Sequence, residues 1–165
     1  MTALPLAGGE GGADCRQLHP LIRHEPEPDH PGWWSWEVPG EERYNATLGN
    51  LLVRGEGPGR ARCRMFPERL QSNLGNVVHG GAVLTFIDMA LFAGGHWAGV
   101  DIARSVTLDL STQFMAPAKL GLPLDTSVEL LRETRRLAFM RGLVEQEGII
   151  VAAWSGTIRK GGEPR

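Results

Sequence analysis

The chain has 165 residues, of which 42% are hydrophobic and 22% are charged, and its net charge is −2. This composition is ordinary for one globular domain with its own core. The near-neutral charge argues against nucleic acid or a membrane surface as a partner. The two cysteines do not indicate a disulfide framework. The N-terminus lacks the basic and apolar regions of a secretory signal, so we expect a cytoplasmic protein.

Residues 1–31 are predicted to form a flexible or extended N-terminal arm. The first 13 residues are rich in glycine and other small residues, which cannot bury enough apolar surface to fold alone. Four prolines between residues 20 and 31 favour extended backbone after a short helix near residues 16–24. One cysteine and three histidines lie in this arm, but their spacing fits no common zinc site, so we expect no metal ion.

Three tryptophans occupy positions 33, 34 and 36. An extended chain places Trp34 and Trp36 on the same face. Aromatic side chains at this spacing indicate either a strap, over residues 32–46, that covers the core or a subunit interface, or a wall of a substrate pocket. Both interpretations remain open. We expect the strap to pack on a single domain over residues 32–161, followed by a tail over residues 162–165.

A short helix or turn is predicted over residues 43–49, followed by a β-hairpin. Its strands cover residues 51–56 and 60–66, and the turn between them is Gly-Pro-Gly. Alternate positions of the second strand are arginine, which predicts a charged face opposite an apolar face. Solvent exposure is the simplest explanation for the arginines, and phosphate binding is an alternative.

The longest apolar run, residues 81–97, is predicted to be a helix. Hydrophobic residues occur on all its sides, which is typical of a helix buried in a core. The run is short for a membrane span and it contains Asp88. A buried carboxylate is unfavourable unless it is paired or used in chemistry. Asp88 is therefore the main catalytic candidate, and an acid satisfied by nearby backbone is the alternative.

The start of this helix is a candidate site for developing negative charge. A helix that begins at Gly80 or Gly81 exposes N–H groups without intrahelical partners, at the positive end of the helix dipole. A carbonyl that becomes an oxyanion could bind there, beside His79. Gly80 and Asp88 are eight residues apart, about 12 Å along a helix. Two antiparallel helices from two copies would be needed to bring both to one reacting carbon.

Four strands are predicted after the helix. The clearest covers residues 106–115, whose alternation places Thr107 and Asp109 on one face. Asp109 is either a second candidate acid or a surface acid. The other strands cover residues 124–131, 137–146 and 149–159. One long helix and about six strands predict an α+β fold with an antiparallel sheet curled around the helix, and exposed sheet edges favour dimerisation.

The segments SNLGNVVHGGAVLTFIDMA and SVTLDLSTQFMAPAKLG resemble the hotdog-fold thioesterases of the phenylacetate-pathway type. The pattern is an asparagine, an HGG six residues later, an acid nine residues after the histidine, and a Thr or Ser on the next strand. The residues in these positions are Asn73, His79, Gly80, Asp88 and Thr107. The resemblance spans residues 51–160, and the full spacing is more specific than HGG alone.

The resemblance implies the hotdog fold and the hydrolysis of acyl-CoA to a carboxylic acid and free coenzyme A, without a metal or redox cofactor. The thioester carbonyl would accept from Gly80 N–H, with His79 supporting that end and Asn73 positioning water or the carbonyl. Asp88 from the partner chain would act as general base or nucleophile, and Thr107 would help to hold the water. The assembly would be a homodimer with composite sites, or a homotetramer.

Substrate contacts are predicted from residue type. Gly81, Trp34 and Trp36 are candidates for the substrate pocket. Arginine suits the phosphates of coenzyme A, and the candidates at a predicted turn are Arg132, Arg135 and Arg136. A solvated turn is the alternative for these arginines. Two other functions remain open, a hotdog hydratase or dehydratase and a non-catalytic acyl-CoA-binding protein, and the sequence does not identify the acyl group.

Overall fold

The computed structural model describes residues 18–40 and 43–161. The predictions for the first 17 residues and for the tail over residues 162–165 lie outside the described residues. The strands are β1 (Trp34–Ser35), β2 (Leu51–Gly55), β3 (Arg60–Met65), β4 (Val106–Phe114), β5 (Leu124–Glu133), β6 (Leu137–Gln146) and β7 (Ile149–Arg159). The helix α1 spans Gly80–Trp97, and two 3-10 helices span Tyr44–Leu48 and Arg69–Gln71.

The strands form one antiparallel sheet in the order β1-β2-β3-β5-β6-β7-β4. The sheet curls around α1, which confirms the predicted α+β architecture. Within the described residues the strand count is seven instead of about six, because the two residues of β1 pair with β2. β2 and β4 would be the edges of this sheet without β1, and β4 remains an edge strand.

The core lies between α1 and the concave face of the sheet. Phe86, Ile87 and Leu91 of the helix are fully buried. The helix backbone approaches β5 closely, because a Cβ atom on Gly94 would lie 2.4 Å from a methyl carbon of Val128. The predicted burial of α1 is therefore confirmed for the face that meets the sheet, whereas Leu84, on the face that also carries Asp88, is 38% exposed. No helix in the described part of the chain combines the length and the apolar character needed to cross a bilayer.

Residues 18–38, here called the N-terminal cover, pack along the β2 edge. The helix predicted near residues 16–24 is wrong over residues 18–24, which contain a turn closed by a hydrogen bond from Ile22 N–H to His19 O. Backbone bridges then join Arg23 to Glu37 and Pro26 to Trp34. The backbone groups of the cover therefore pair across it rather than along a helix.

The convex face of the sheet carries the predicted arginines, and β3 alternates as expected between buried and polar positions. Arg64 forms two hydrogen bonds to the Asp125 carboxylate at 2.7 and 2.8 Å, and Arg62 pairs with Glu56 and Glu145. Their acidic neighbours therefore already neutralise these two arginines, which disfavours the alternative of a phosphate site on this face.

Candidate active site

Asp88 and Thr107, two of the residues predicted for the site, are hydrogen-bonded to each other within one chain. Asp88 lies in the middle of α1, and the hydroxyl of Thr107 on β4 donates to its Oδ1 at 2.7 Å. Both residues are half-buried. The alternative of a carboxylate satisfied by nearby backbone is therefore not what the structure shows. Thr107 fixes one carboxylate oxygen and leaves Oδ2 available to a substrate or a water molecule.

A β-bulge in β4 decides which residues face the helix. Thr107 pairs with Ile158 and Asp109 pairs with Thr157, so Leu108 is an extra residue without a partner. After the bulge Leu110 packs against the core and Asp109 is exposed. The prediction that Thr107 and Asp109 share a face is therefore wrong. The bulge reverses the alternation, because one inserted residue moves every later side chain to the other face.

The helix N-terminus begins at Gly80, and His79 is its N-cap. His79 Nδ1 accepts a hydrogen bond from Gly81 N–H at 2.9 Å. The proton of the neutral imidazole ring therefore lies on Nε2. Gly81 N–H is already used, whereas no acceptor for Gly80 N–H lies within residues 18–40 and 43–161. Gly80 is consequently the backbone donor that an oxyanion could use.

Asn73 shapes the loop that leads to the helix. Its Oδ1 accepts from the N–H groups of Gly75 at 2.8 Å and Val77 at 3.3 Å. Its amide nitrogen has no acceptor in the described part of the chain and can donate to a bound ligand. Asn73 and Gly80 line one surface cleft of about 370 Å³, together with Phe114. Asn73 and His79 line a neighbouring cleft.

Asp88 is one of the residues that line a separate cavity of about 500 Å³. Its walls are mostly apolar and come from α1, the N-terminal cover and the loop before β4, and the lining residues are Leu18, His19, Pro20, Ile22, Trp36, Val38, Asn45, Asp88, Met89, Phe92, Ile102, Ala103 and Arg104. Gly80 and Asn73 are not among them. One protomer therefore does not bring Gly80 and Asp88 to a common space, as their separation along the helix predicted.

Trp34 and Trp36, both predicted as candidates for the substrate pocket, differ in their position relative to the Asp88 cavity. Trp34 and Trp36 do lie on the same side of the chain, since both pack on the His24 ring with centroids 5.1 and 5.4 Å away. Trp36 lines the Asp88 cavity, whereas Trp34 packs against Trp97 at 5.9 Å and does not line it. Burial among these rings lowers the pKa of His24.

The predicted coenzyme A arginines lie near one end of the sheet. Arg132, Arg135 and Arg136 are exposed, and their side chains form no ion pair with another described residue. The backbone links this turn to the end of β7, because Lys160 N–H donates to Arg136 O at 2.8 Å. β4 starts at the same end of the sheet, so Thr107 lies nearby.

Several residues of the Asp88 cavity were not predicted from the sequence. Arg104 lies at its exposed rim, and Ile22, Met89 and Phe92 form its apolar wall. The apolar character of Met89 and Phe92 indicated only that they were buried. No periodic pattern joins Ile22 to them, since 67 positions separate Ile22 from Met89 in the chain. The common wall exists only because the N-terminal cover folds back over α1.

Comparison with known proteins finds similar thioesterases. Residues 75–153 match the model of the thioesterase superfamily, and this segment contains both α1 and Thr107. The chain is therefore similar to this superfamily over just under half of its length. Human acyl-coenzyme A thioesterase 13 is 29% identical to the chain over 100 residues, which are 58% of this chain and 68% of the human protein.

Solved structures of similar proteins show that the chain has the hotdog fold. The PaaI protein from the Escherichia coli phenylacetic acid degradation operon superposes with a TM-score of 0.63 at 18% identity, covering 73% of this chain and 86% of PaaI. A hypothetical thioesterase from Streptococcus pneumoniae, solved with coenzyme A, has a TM-score of 0.63 at 20% identity and covers 73% of this chain and 92% of its own. The predicted resemblance and fold are confirmed.

Proposed function

We propose that the protein hydrolyses acyl-CoA thioesters to a carboxylic acid and free coenzyme A. The observation that carries this proposal is the Asp88 carboxylate, held by Thr107 at 2.7 Å and placed on the wall of an apolar cavity within a thioesterase domain. The name of the human relative, an acyl-coenzyme A thioesterase, and the coenzyme A in the streptococcal structure support this substrate class.

In the proposed reaction the thioester carbonyl oxygen accepts from Gly80 N–H. The helix dipole and this free donor stabilise the negative charge that develops on the oxygen as water attacks. His79 can donate from Nε2 at the same end, and the Asn73 amide can orient the thioester or the water. The Gly80 donor is fixed before substrate binds, because His79 caps the helix through Gly81.

Asp88 acts as the general base on the attacking water. Thr107 donates to Oδ1, so Oδ2 accepts the proton from water while the oxygen–carbon bond forms. The carbon–sulfur bond then breaks, and the proton passes from Asp88 to the departing thiolate of coenzyme A. Acyl-CoA and water are the only reactants in this scheme, and the carboxylic acid and the thiol are its products.

The Gly80 donor and the Asp88 base would come from two subunits of a homodimer. The edge strand β4 has unpaired backbone groups and exposed apolar side chains at Val106, Leu108 and Phe114, and Met115 directly after the strand is also exposed. Such an edge favours pairing with another chain. A second copy related by a two-fold axis could bring Asp88 of the partner subunit toward Gly80, and the reverse.

The phosphates of coenzyme A would bind the arginines near the end of the sheet where β4 begins. Three of them, Arg132, Arg135 and Arg136, are exposed and form no ion pair with described residues. Arg104 adds a further guanidinium at the rim of the Asp88 cavity. Guanidinium groups bind phosphate through two parallel hydrogen bonds, which suits this role.

Two variants test the composite site. Proline is compatible with the first position of a helix and has no N–H, so Gly80→Pro removes the proposed oxyanion donor with little change to the helix. Asp88→Asn removes the base. We expect each variant alone to lose thiol release from acyl-CoA by about a hundredfold or more. Circular dichroism and size-exclusion chromatography would check that both remain folded.

Mixing the two variants tests whether each active site is built from one chain or from two. After unfolding and refolding together at equal amounts, half of the dimers are mixed, and each has one intact composite site, so about a quarter of the native activity should return. No recovery in verified mixed dimers would contradict the shared site. If the native protein instead hydrates crotonyl-CoA, or binds acyl-CoA without releasing thiol, the hydratase or the binding alternative replaces the proposed function.

A further inference from the structure

The cavity beside Asp88 has walls from two parts of the chain. α1 supplies Met89 and Phe92, and the N-terminal cover supplies Ile22 and Trp36. These side chains are half-buried or buried. A volume of about 500 Å³ falls within the range of about 300–1,000 Å³ that is usual for small-molecule sites. The space therefore suits a hydrocarbon group that is bound next to the carboxylate.

The polar residues of the cavity indicate how a ligand would lie in it. His19, Asn45 and Arg104 are exposed, so they mark its opening. Asp88 is half-buried on the wall. A second carboxylate, at the far end of a dicarboxylic acyl chain, would lose its hydration inside apolar walls that also contain Asp88. An uncharged acyl chain meets no such penalty.

The wall formed by the N-terminal cover is held in place by hydrogen bonds. Trp36 N–H donates to Leu51 O at 2.8 Å, which ties the cover to β2. His24 Nδ1 donates to Ser35 O at 2.7 Å, and Ile22 N–H donates to His19 O at 2.9 Å. Because this wall is ordered before a ligand binds, binding does not have to supply the free energy of ordering it, and this favours affinity. The whole cover precedes residues 75–153, which match the thioesterase superfamily.

We propose that this cavity binds the acyl group and that the N-terminal cover sets the length of the acyl chain that the enzyme accepts. The inference rests on the proposed thioesterase function and names its substrate class: uncharged, apolar acyl groups of medium chain length or with an aryl ring. Ile22 and Trp36 are the specificity-determining residues. With Asp88 on the cavity wall, the carbonyl carbon lies at the carboxylate and the rest of the acyl group extends between α1 and the cover.

The test compares acyl chains of increasing length in the native protein and in two matched variants. Thiol release is measured for acetyl-, butyryl-, hexanoyl-, octanoyl-, decanoyl-, phenylacetyl- and succinyl-CoA. In the native protein kcat/KM should rise about fourfold for each methylene group that the cavity buries. Ile22→Trp fills the cavity, and the ratio of kcat/KM for decanoyl-CoA to that for butyryl-CoA should fall about tenfold or more.

Leu21→Trp is the matched control. Leu21 is the adjacent residue, is 39% exposed and does not line the cavity. The control adds the same bulk to the same segment and should keep the native length profile. Ile22→Phe adds less bulk and should give a smaller shift in the ratio. The proposal is overturned if Ile22→Trp keeps the native ratio while folded, or if succinyl-CoA is hydrolysed as well as hexanoyl-CoA.

A binding measurement separates this inference from the proposed function. Calorimetric titration with decanoate, the product of decanoyl-CoA hydrolysis, reports on the cavity without any turnover. If the native protein cleaves no ester, the thioesterase proposal fails, and weaker decanoate binding in Ile22→Trp than in Leu21→Trp would still support an apolar ligand in this cavity. If esters are cleaved and decanoate binds equally to both variants, the thioesterase stands and the role of the cover is refuted.

Discussion

The two edges of the sheet are covered in different ways. At β2 the N-terminal cover adds β1, and Trp33 is 5% exposed beneath the guanidinium groups of Arg54 and Arg64, each 4.6 Å from its ring. At β4 the strand edge is open, and Leu108 is 54% exposed. The described residues of the chain therefore close one edge of the sheet and leave the other edge open. Asp88 lies between them, with the cover on one side and Thr107 of β4 on the other.

The largest expected effect concerns the two acids near β4. Asp88→Asn should lower kcat/KM for the best acyl-CoA by about a thousandfold, because it removes the proposed general base. Asp109→Asn should stay within about twofold of the native value, since Asp109 is exposed beyond the bulge. Thiol release measures both. Equal losses of kcat/KM in the two variants would mean that the bulge does not determine which of the two acids acts in the reaction.

The open edge is tested by placing a charge on it. Leu108→Lys should weaken self-association about a hundredfold, because desolvating a lysine at a pairing edge is unfavourable. Leu131→Lys places the same charge on an equally exposed leucine of β5, where Leu131 is 52% exposed, and should leave association unchanged. Sedimentation velocity over a range of protein concentrations measures the change. Matching association in the two variants would show that β4 is not the subunit interface.

The covered edge is tested through stability. Trp33→Ala should lower the free energy of unfolding by about 3–5 kcal/mol, because it removes a buried aromatic ring from under two guanidinium groups. Leu21→Ala, at an exposed site of the same cover, should change it by less than about 0.5 kcal/mol. Urea unfolding at a fixed protein concentration gives both values. A small effect of Trp33→Ala would mean that the cover contributes little to the fold.

The smallest expected effect is a pH dependence of the cover. Burial lowers the pKa of His24, so the folded protein binds this proton more weakly than the unfolded chain does. The contribution of neutral His24 is fully present above the unfolded value near 6.5 and is lost as the pH falls through that value toward the lower folded pKa. Urea unfolding of the native protein and His24→Gln between pH 5 and 8 should show a shallower dependence in the variant. If the free energy of unfolding depends on pH in the same way in both proteins, His24 is not the cause of that pH dependence.

Sequence periodicity predicted most of the fold. The apolar pattern gave α1 within one residue, and alternation gave β6 and β7 with their observed bounds. Predictions from the local sequence pattern were wrong where backbone pairing between distant segments determines the structure. The bulge at Leu108 reverses the predicted faces of β4, and the backbone of the N-terminal cover pairs with itself and with β2 instead of forming a helix. Neither feature has a local signal, because each depends on a strand that is distant in the chain.

The sequence by itself determined the parts that depend on residue type and short spacing. It identified Asp88 within an apolar helix and free N–H donors where that helix starts, at Gly80 or Gly81, because the helix period and the unpaired N–H groups of a helix start can be read locally. The resemblance to hotdog thioesterases added Thr107 to the same site. Only the tertiary structure decided that His79 uses the Gly81 donor, that Asp109 faces away and that Ile22, Trp36 and Phe92 enclose one cavity. These facts depend on how distant segments pack together, and packing is set by the whole chain rather than by any local pattern.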